Sequence, residues 1–484
     1  MSQSILKKRT WILILFFLIL QLSISAQETK YVATIEKKIA EFENNLSLWV
    51  NNENAKNKYT LQERMAFYHV NGVSIAFIKD YKIQWAKGFN WADSAEQRKV
   101  TPATLFQAAS ISKSLNSIGV IKLVQEGKLN LSADINDYLK SWKFPYDSIS
   151  KGKKISMANL LSHTAGFTIS GFPGYEVGLT LPTRLQILDS NKPANTRAVR
   201  SASEPGLRYQ YSGGGIMISQ TIVEDITGQT YEAYMLENEL KPLGMNSSTF
   251  AQTPEEGEAL LRATAYWKNG KALKGKYHIY PEQAAAGLWT NPTDLAKYII
   301  ETQLTFQGKS NKVLTQEMTT LRLSPFVESM AALKVMISKK GTHTYFGHSG
   351  SNTGFKSEYI GSLNERNGVV VMINSDNSAI IPEIINSIAT VYNWNNFYIP
   401  KIKKIVTVDS KILEKYLGDY TFNKQPITIL REGEKLFVKQ GEQIMNLNLT
   451  SETEFFLTET PNVDYLFLTD ANKVVEALQI KRET

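Results

Sequence analysis

The sequence predicts an α+β fold in which an antiparallel sheet is flanked by helices, with a mostly helical subdomain and a small C-terminal all-β domain. Three observations carry this prediction. Strand-like runs lie at both ends of a long region, helical patterns fill its middle, and the last part of the chain alternates apolar and polar residues with a period of two. Strands contributed from both ends of a region are typical of one sheet assembled from the two ends.

The predicted strands of the main region bracket its predicted helices. The strand-like runs cover residues 72–77, 82–88, 333–338, 345–348, 356–360 and 368–373. Apolar residues at helical spacing predict helices over residues 106–128, 156–165, 216–226, 231–245, 293–304 and 381–392. Between these helices, residues 168–205 form a long irregular stretch with several glycines, which in a compact protein is usually a functional loop or a lid.

The C-terminal part of the chain has the pattern of a separate β domain. Short alternating runs cover residues 427–430, 435–439, 445–449, 455–458, 464–468 and 474–480. Turn residues such as Gly433, Gly441 and Pro461 separate them, which favours a small barrel or sandwich. This part of the sequence contains no histidine and no evident pair of catalytic residues. We therefore expect the domain to have a supporting or recognition role rather than a catalytic one.

The N-terminus has the pattern of a secretory signal peptide. A basic start at residues 7–9 precedes an apolar run from Trp11 to Leu20, and small residues end at Ala26, where we expect cleavage. The alternative, an uncleaved membrane anchor, is disfavoured because the apolar run is shorter than the ~20 residues of a bilayer span. We expect a periplasmic or secreted protein with no integral membrane domain once the signal is removed.

These patterns divide the chain of 484 residues into five parts. They are a signal peptide at 1–26, a lead-in helical segment at 27–60, a main domain at 61–398, a linker at 399–408 and a small β-barrel-like domain at 409–484. The content of 43% hydrophobic and 11% aromatic residues supports a sizeable core.

Composition also excludes several classes of function. The net charge is +8, and removal of three positive charges with residues 1–26 leaves 8 − 3 = +5, without the basic stripe expected of a protein that binds nucleic acid. The chain has no cysteine, which excludes a thiolate nucleophile and cysteine metal sites. Its five histidines are scattered without the spacing of a metal motif, so we predict neither a metal nor a cofactor.

The predicted helix at residues 106–128 carries the candidate chemistry. It is apolar on nearly every side and is followed by the stop signal Gly127, which is typical of a helix in the middle of a domain. Ser110 and Lys113 fall in its first turn, three residues apart and therefore on one face. A serine hydroxyl needs a base to become a nucleophile, and a buried lysine can supply one.

The pattern Ser-x-x-Lys is weak by itself. It occurs four times, beginning at Ser4, Ser110, Ser148 and Ser150. The first copy lies in the predicted signal peptide and the last two lie in a polar loop, so only Ser110 opens an apolar helix. The alternative, an ordinary helix start with a serine near its cap, stays open on these four residues alone.

Four stretches together resemble the penicillin-binding-protein and class C β-lactamase superfamily, the serine β-lactamase-like hydrolases. In chain order they are Ser110-Ile111-Ser112-Lys113, the structural signature at residues 160–166 (LLSHTAG), Tyr211-Ser212-Gly213 and His348-Ser349-Gly350. The resemblance covers roughly residues 71–392 and implies a β-lactamase/transpeptidase-like fold. The C-terminal module more loosely resembles the small barrel often appended to such hydrolases.

The resemblance implies a role for each motif residue. Ser110 would attack a carbonyl and form an acyl-enzyme, Lys113 would ease its deprotonation, and Tyr211 would shuttle a proton to the leaving group. The backbone N–H groups of Ser110 and Ser351 would hold the oxyanion. The further substrate-binding positions would be His348, Ser349, Gly350 and Gly213.

Two positions depart from the family pattern. Gly213 stands where many members have asparagine, so one hydrogen bond to the substrate is missing. His348 stands where β-lactamases have lysine, and a histidine of ordinary pKa near ~6.5 carries its charge only part of the time. Both departures weaken the case for efficient β-lactam hydrolysis and leave room for an esterase or a peptidase.

The sequence therefore predicts an exported serine hydrolase that acts on a small peptide, ester or β-lactam substrate. The alternative is a non-catalytic relative that binds cell-wall peptide or serves as a scaffold, against which the set of Ser110, Lys113 and Tyr211 argues. A Ser-His-Asp enzyme of the α/β-hydrolase type lacks its Gly-x-Ser-x-Gly elbow. We expect His163, in the signature, to be structural rather than catalytic.

Overall fold

The computed structural model describes residues 30–47, 50–52, 56–253, 257–422, 425–441, 443–458, 460–470 and 475–482. The predicted signal peptide lies outside these ranges. The described residues group into two units, one within residues 30–40 and 68–378 and the other within residues 41–67 and 379–482. The predicted domain boundaries at residues 61, 399 and 409 stay predictions. Within the described ranges, no helix has both the length and the apolar composition needed to cross a bilayer.

The larger unit is built on a seven-stranded sheet to which both ends of the region contribute. Its strands are β1 Gly72–Lys79, β2 Lys82–Asp93, β3 Arg98–Lys99, β4 Met336–Lys340, β5 His343–Asn352, β6 Phe355–Ser362 and β7 Asn367–Ile373. They are arranged in the order β3-β2-β1-β7-β6-β5-β4. Strand β1 pairs antiparallel with β7, so the early and late strands meet in the centre of the sheet. The predicted α+β class is confirmed.

Most of the helices lie, along the chain, between the early and the late strands of this sheet; the first two precede strand β1 and the last two follow strand β7. In chain order they are α1 Ala33–Glu43, α2 Leu61–Phe67, α3 Ser112–Gln125, α4 Ile135–Tyr138, α5 Met157–Ser162, α6 Arg184–Asp189, α7 Gly213–Thr227, α8 Tyr231–Met235, α9 Lys241–Leu243, α10 Gln283–Ala286, α11 Pro292–Phe306, α12 Gln316–Leu323, α13 Ile380–Val391 and α14 Ser410–Leu413. The single helix predicted over residues 231–245 is interrupted: a π-helical turn, Leu236–Leu240, separates α8 from α9. Pro242, which has no N–H to donate, lies just after this turn.

Helix α3 lies in the core of the larger unit, as its all-round apolar character predicted. Leu115, Val120, Ile121 and Leu123 are fully buried. The polar residues of this helix are buried too, and they tie it to its neighbours. Asn116, for example, donates a hydrogen bond to Ser219 Oγ on α7 at 3.1 Å.

The start of this helix was predicted wrongly. Residues Phe106–Gln107 form a short strand that pairs with Trp289–Thr290. Residues Ala109–Ile111 form one turn of 3-10 helix, and the α-helix begins only at Ser112. Because the chain leaves a strand and turns sharply into a helix here, Ser110 lies at a corner rather than inside a regular first turn.

The smaller unit contains the predicted all-β domain. Its seven strands are β8 Gly418–Phe422, β9 Gln425–Glu432, β10 Lys435–Gln440, β11 Gln443–Leu449, β12 Glu454–Leu457, β13 Thr460–Thr469 and β14 Val475–Arg482. Each pairs antiparallel with the next, and the first approaches the last, which gives a near-barrel. Its core includes Ile429, Leu436, Phe455 and Phe467. The segment predicted as a linker contributes a strand, Lys401–Lys403, that pairs in parallel with Val50–Asn52.

Candidate active site

Ser110 lies at the corner between the short strand and helix α3. The residue before it, Ala109, has a φ of 53°, in the left-handed region that residues other than glycine rarely adopt. This conformation is strained, and such strain is frequent at functional sites. Lys113 Nζ lies 3.0 Å from Ser110 Oγ, a distance across which a proton can be transferred.

The amine of Lys113 is held in place inside the protein. The residue is only 2% exposed. Its Nζ also donates a hydrogen bond to the Ala285 carbonyl at 2.5 Å. Ala285 lies on the short helix α10, which is itself fixed by a 3.0 Å bond from the Ala284 N–H to Gln220 Oε1 on α7. Helices α10 and α7 therefore hold the Lys113 amine in the position from which it reaches Ser110 Oγ.

Tyr211 is brought to the same place by the turn that precedes helix α7. Its ring centre lies 5.2 Å from Lys113 Nζ. The next residue, Ser212, caps α7 by accepting a hydrogen bond from the Gly215 N–H at 3.0 Å, and its own hydroxyl donates to the Ile169 carbonyl at 2.9 Å. The three predicted catalytic residues thus meet, although they come from two distant parts of the chain.

The space around Gly213 accounts for a glycine at the position where the superfamily that the motifs resemble often has asparagine. A Cβ at this position would lie 2.9 Å from the ring of Phe172 and 3.0 Å from the Ser170 carbonyl. The Gly213 N–H donates to the same carbonyl at 2.9 Å. Residues 170–172 therefore occupy the space that a side chain at position 213 would need. They belong to the irregular stretch at residues 168–205 that the sequence predicts to be a functional loop or a lid.

The third motif lies on strand β5, directly against the corner that carries Ser110. A Cβ at Gly350 would lie 2.1 Å from the Ala108 carbonyl, so only glycine fits there. The neighbouring strand β6 adds a hydrogen bond from Ser357 Oγ to the same carbonyl at 2.9 Å. Strands β5 and β6 are therefore packed directly against the turn that carries Ser110, on one side of the site.

A pocket of about 360 Å³ opens over these residues. Six of the eight predicted site residues line it, namely Ser110, Lys113, Tyr211, His348, Ser349 and Ser351, and six unpredicted ones, Ser170, Gly171, Phe172, Ala285, Ala286 and Asn352, complete the lining. Gly213 and Gly350 are buried and are not part of the lining. The irregular stretch was the one sequence signal that could have identified residues 170–172.

The pocket carries little charge. Burial, reinforced by the positive charge of nearby Lys113, lowers the pKa of His348 to about 4. The imidazole is therefore uncharged near neutral pH, whereas an ordinary histidine would carry part of a charge. Lys113 is the one lining residue with a charged side chain among the residues that the structure describes.

His163 is a buried neighbour of Tyr211. It ends helix α5 in a left-handed conformation with a φ of 60°. Its ring lies against that of Tyr211 with the centroids 4.2 Å apart, and its Nδ1 accepts a hydrogen bond from the Ser212 N–H at 2.9 Å. These contacts agree with a structural role, and the structure adds one residue that the sequence did not suggest: Lys334 Nζ lies 2.8 Å from this ring.

Comparison with known proteins gives a family match and several relatives. The family model described as Beta-lactamase matches residues 58–382. Protein flp of Staphylococcus aureus strain N315 is 26% identical over 333 residues, which cover 66% of this chain and 63% of that protein, so the chain spans less than two thirds of this relative. A putative D-alanyl-D-alanine carboxypeptidase of Escherichia coli O157:H7 is 24% identical over 324 residues, 58% of this chain and 73% of that protein.

Among solved structures, the octameric penicillin-binding protein homologue from Pyrococcus abyssi has a similar fold. Its TM-score is 0.60 with 22% identity, and the match covers 87% of this chain and 98% of that one. The β-lactamase/transpeptidase-like fold that the sequence motifs implied is thereby confirmed.

Proposed function

Because the chain belongs to the beta-lactamase family, whose model spans residues 58–382, we propose that it is a serine hydrolase that forms an acyl-enzyme on Ser110. The observation that supports this most is the 3.0 Å approach of Lys113 Nζ to Ser110 Oγ at the floor of a pocket. A nucleophile within hydrogen-bond reach of a base is the arrangement that covalent catalysis by serine requires.

The proposed reaction combines the Ser110–Lys113 contact with the roles that the family resemblance implies for the other groups. With Lys113 in its uncharged amine form, Ser110 Oγ loses its proton to Lys113 Nζ and bonds to the substrate carbonyl carbon, whose oxygen would be held by the N–H groups of Ser110 and Ser351. The bond to the leaving group then breaks, and the leaving alcohol or amine takes a proton delivered through Tyr211. Water attacks the acyl-enzyme in the same manner, which releases the acid and restores Ser110.

We propose that the substrate is an ester or amide without a carboxylate next to the bond that is cleaved. A β-lactam or a peptide with a free C-terminus brings such a carboxylate, and it needs a cation to replace its water. His348 is uncharged near neutral pH, and Lys113 is engaged with Ser110 and Ala285. The lack of a cation for a substrate carboxylate argues against the D-alanyl-D-alanine carboxypeptidase activity that the name of the Escherichia coli relative suggests. A D-amino-acid amide or ester has no such carboxylate and suits this pocket.

A matched pair of substrates tests this preference. We expect a D-alanyl peptide with an amidated C-terminus to be cleaved with a kcat/KM at least about 10-fold higher than the same peptide with a free carboxylate, which corresponds to ~1.4 kcal/mol. His348→Lys should narrow or reverse the difference in kcat/KM between the two peptides, because lysine supplies a positive charge for the substrate carboxylate. Short-chain p-nitrophenyl esters and nitrocefin extend the comparison, and a preference of the wild-type protein for the free acid would contradict the proposal.

The alternative is a non-catalytic protein that binds cell-wall peptide in the same pocket. The two possibilities differ in whether the serine becomes acylated. A fluorescent fluorophosphonate and a fluorescent penicillin should be tried on the folded protein, and labelling by either supports the hydrolase. If neither probe labels the protein while a cell-wall peptide binds it, the binding protein is favoured.

We also propose that the protein is exported, on the basis of the basic and apolar pattern of residues 7–20. N-terminal sequencing of the protein recovered from the cells that make it should begin at Gln27. A protein that begins at Met1 and stays with the cytoplasmic fraction would contradict export.

A further inference from the structure

Asn352 is the last residue of strand β5, and it lines the pocket although it is only 5% exposed. It directly follows Ser351, whose N–H is a candidate donor to the oxyanion. Neither the motifs nor the proposed reaction uses it. Its side chain is an amide, which can donate two hydrogen bonds through Nδ2 and can accept others through Oδ1.

The nitrogen of this amide is fully engaged with the protein. Nδ2 donates to Gln107 Oε1 at 2.9 Å and to the Ala286 carbonyl at 3.1 Å. Gln107 is itself only 1% exposed, and its own Nε2 donates to the His278 carbonyl at 2.6 Å. Both N–H donors of the Asn352 side chain are therefore used inside the protein.

These partners fix the direction in which the amide of Asn352 faces. A main-chain carbonyl can only accept, so the His278 carbonyl requires Gln107 to turn its nitrogen there and its oxygen towards Asn352. That oxygen and the Ala286 carbonyl are both acceptors, and both need the nitrogen of Asn352. A flipped amide would set its oxygen against two other oxygens, which assigns Oδ1 to the remaining side.

Oδ1 of Asn352 accepts no hydrogen bond from the residues that the structure describes. Because both N–H groups of the amide are covered and the residue belongs to the pocket lining, the oxygen is the part of the side chain left to face the pocket. A nearly buried acceptor without a partner is unfavourable, and a bound molecule that donates a hydrogen bond would satisfy it.

Asn352 lies at the end of the pocket where the acyl part of a substrate would bind. A strand rises ~3.3 Å per residue, so His348 lies ~13 Å away along β5. His348 is near enough to His163 to lower the pKa of that imidazole, and the His163 ring packs on the ring of Tyr211, the candidate proton donor to the leaving group. The leaving group therefore lies towards His348, and the acyl part lies towards Asn352.

The main chain around Asn352 is held in place by its neighbours. Its carbonyl accepts a hydrogen bond from Lys356 Nζ at 3.1 Å. The next N–H, that of Thr353, donates to the hydroxyl of Tyr280 at 3.1 Å, and this hydroxyl donates to the Pro173 carbonyl at 3.4 Å. The acceptor is thus positioned before a substrate binds, which lowers the cost of binding.

The charge of the pocket indicates which kind of donor fits this acceptor. Within the described ranges, the residues that line the pocket include no carboxylate, and Lys113 is a base rather than an anion. An ammonium group would lose its water without gaining a counter-charge. A neutral amide N–H suits a neutral amide oxygen.

We propose that Asn352 is a specificity-determining residue: its Oδ1 accepts a hydrogen bond from an amide N–H carried by the carbon next to the substrate carbonyl. That group is present in an N-acylated amino acid ester or amide, and its place one atom beyond the carbonyl matches the place of Asn352 next to Ser351. The inference rests on the proposed function of the site and narrows its substrates to peptide-like acyl groups.

A pair of esters tests this contact. The p-nitrophenyl ester of N-acetylglycine carries the N–H, and the ester of 4-oxopentanoic acid has a methylene in its place. We expect Asn352→Leu to lower the ratio of their kcat/KM values by about 10-fold, mainly through the N-acetylglycine ester. The ester without the N–H should stay within about 3-fold of wild type. Comparing one ratio in two proteins cancels the intrinsic reactivity of the esters.

A purely structural role of Asn352 predicts a different result. If its amide only ties strand β5 to Ala286 and Gln107, Asn352→Leu should lower both kcat/KM values alike, and an unchanged ratio would overturn the proposal. A preference for the N–H that persists in Asn352→Leu would assign the acceptor to another group. Thr353→Val is the neighbouring control, since Thr353 is not part of the pocket lining, and it should keep the wild-type ratio.

The hydrogen bond can also be tested without turnover and without changing Asn352. Ser110→Ala cannot be acylated, and NMR titration should show that it binds N-acetylglycinamide at least about 3-fold more tightly than 4-oxopentanamide. Equal affinity, or no detectable binding of either amide, would overturn the proposal even if Asn352→Leu failed to fold. A wild-type protein that hydrolyses neither ester but keeps this binding preference would instead count against the proposed function and leave the contact intact.

Discussion

Replacement of Ser110 by alanine is expected to abolish ester and amide hydrolysis and all labelling by acylating probes. Ser110 is the candidate that forms the covalent bond, and loss of a serine nucleophile typically costs about 10⁴-fold or more in kcat. The fold should persist, because Ser110 is only partly buried and its hydroxyl lines the pocket, where it contacts Lys113. Initial rates and Tm of the two proteins measure these effects separately.

The chain supplies its own control for this variant. Ser148 begins a second Ser-x-x-Lys pattern, but it is exposed and lies in a 3-10 turn of a polar loop. Ser148→Ala should keep wild-type rates. Activity that survives in Ser110→Ala would assign the chemistry to another residue.

Replacement of Lys113 by methionine is expected to lower kcat/KM by about 10³-fold, within the range that general base catalysis contributes. Lys113 is the side chain whose nitrogen reaches Ser110 Oγ, at 3.0 Å, and methionine fills a similar volume without accepting a proton. Stability should change little, because a buried amine is exchanged for an apolar group.

Lys122→Met is the matched control for this second variant. Lys122 is on the same helix, α3, but it is 22% exposed and pairs with Glu126. It should therefore behave like wild type in both rate and Tm. A Lys113→Met protein with normal turnover would remove this residue from the mechanism.

The helices and strands could be predicted because each is indicated by a pattern of residues that are neighbours in the sequence. The strand-like runs at residues 72–77 and 368–373 became neighbouring strands, and the all-round apolar pattern of residues 115–124 became a buried helix. The three candidate catalytic residues could be named because short motifs around them resemble those of a known superfamily, and each motif is a run of a few consecutive residues.

What could not be predicted depends on contacts between distant parts of the chain. The ring of Phe172 occupies the space beside Gly213, and nothing near either residue indicates this. The strained corner at Ala109 arises because residues 106–107 pair with a strand more than 180 residues later. Lys334 falls in a run that the sequence predicts to be a strand, and only the fold brings its amine to His163.

The central claim is that Ser110 is the residue that becomes acylated. Mass spectrometry of the intact protein after reaction with a fluorophosphonate, followed by peptide mapping, tests it most directly. We expect one added group per chain, located on Ser110. An added group on any other residue, or a folded protein that gains none with any acylating probe, would contradict the account.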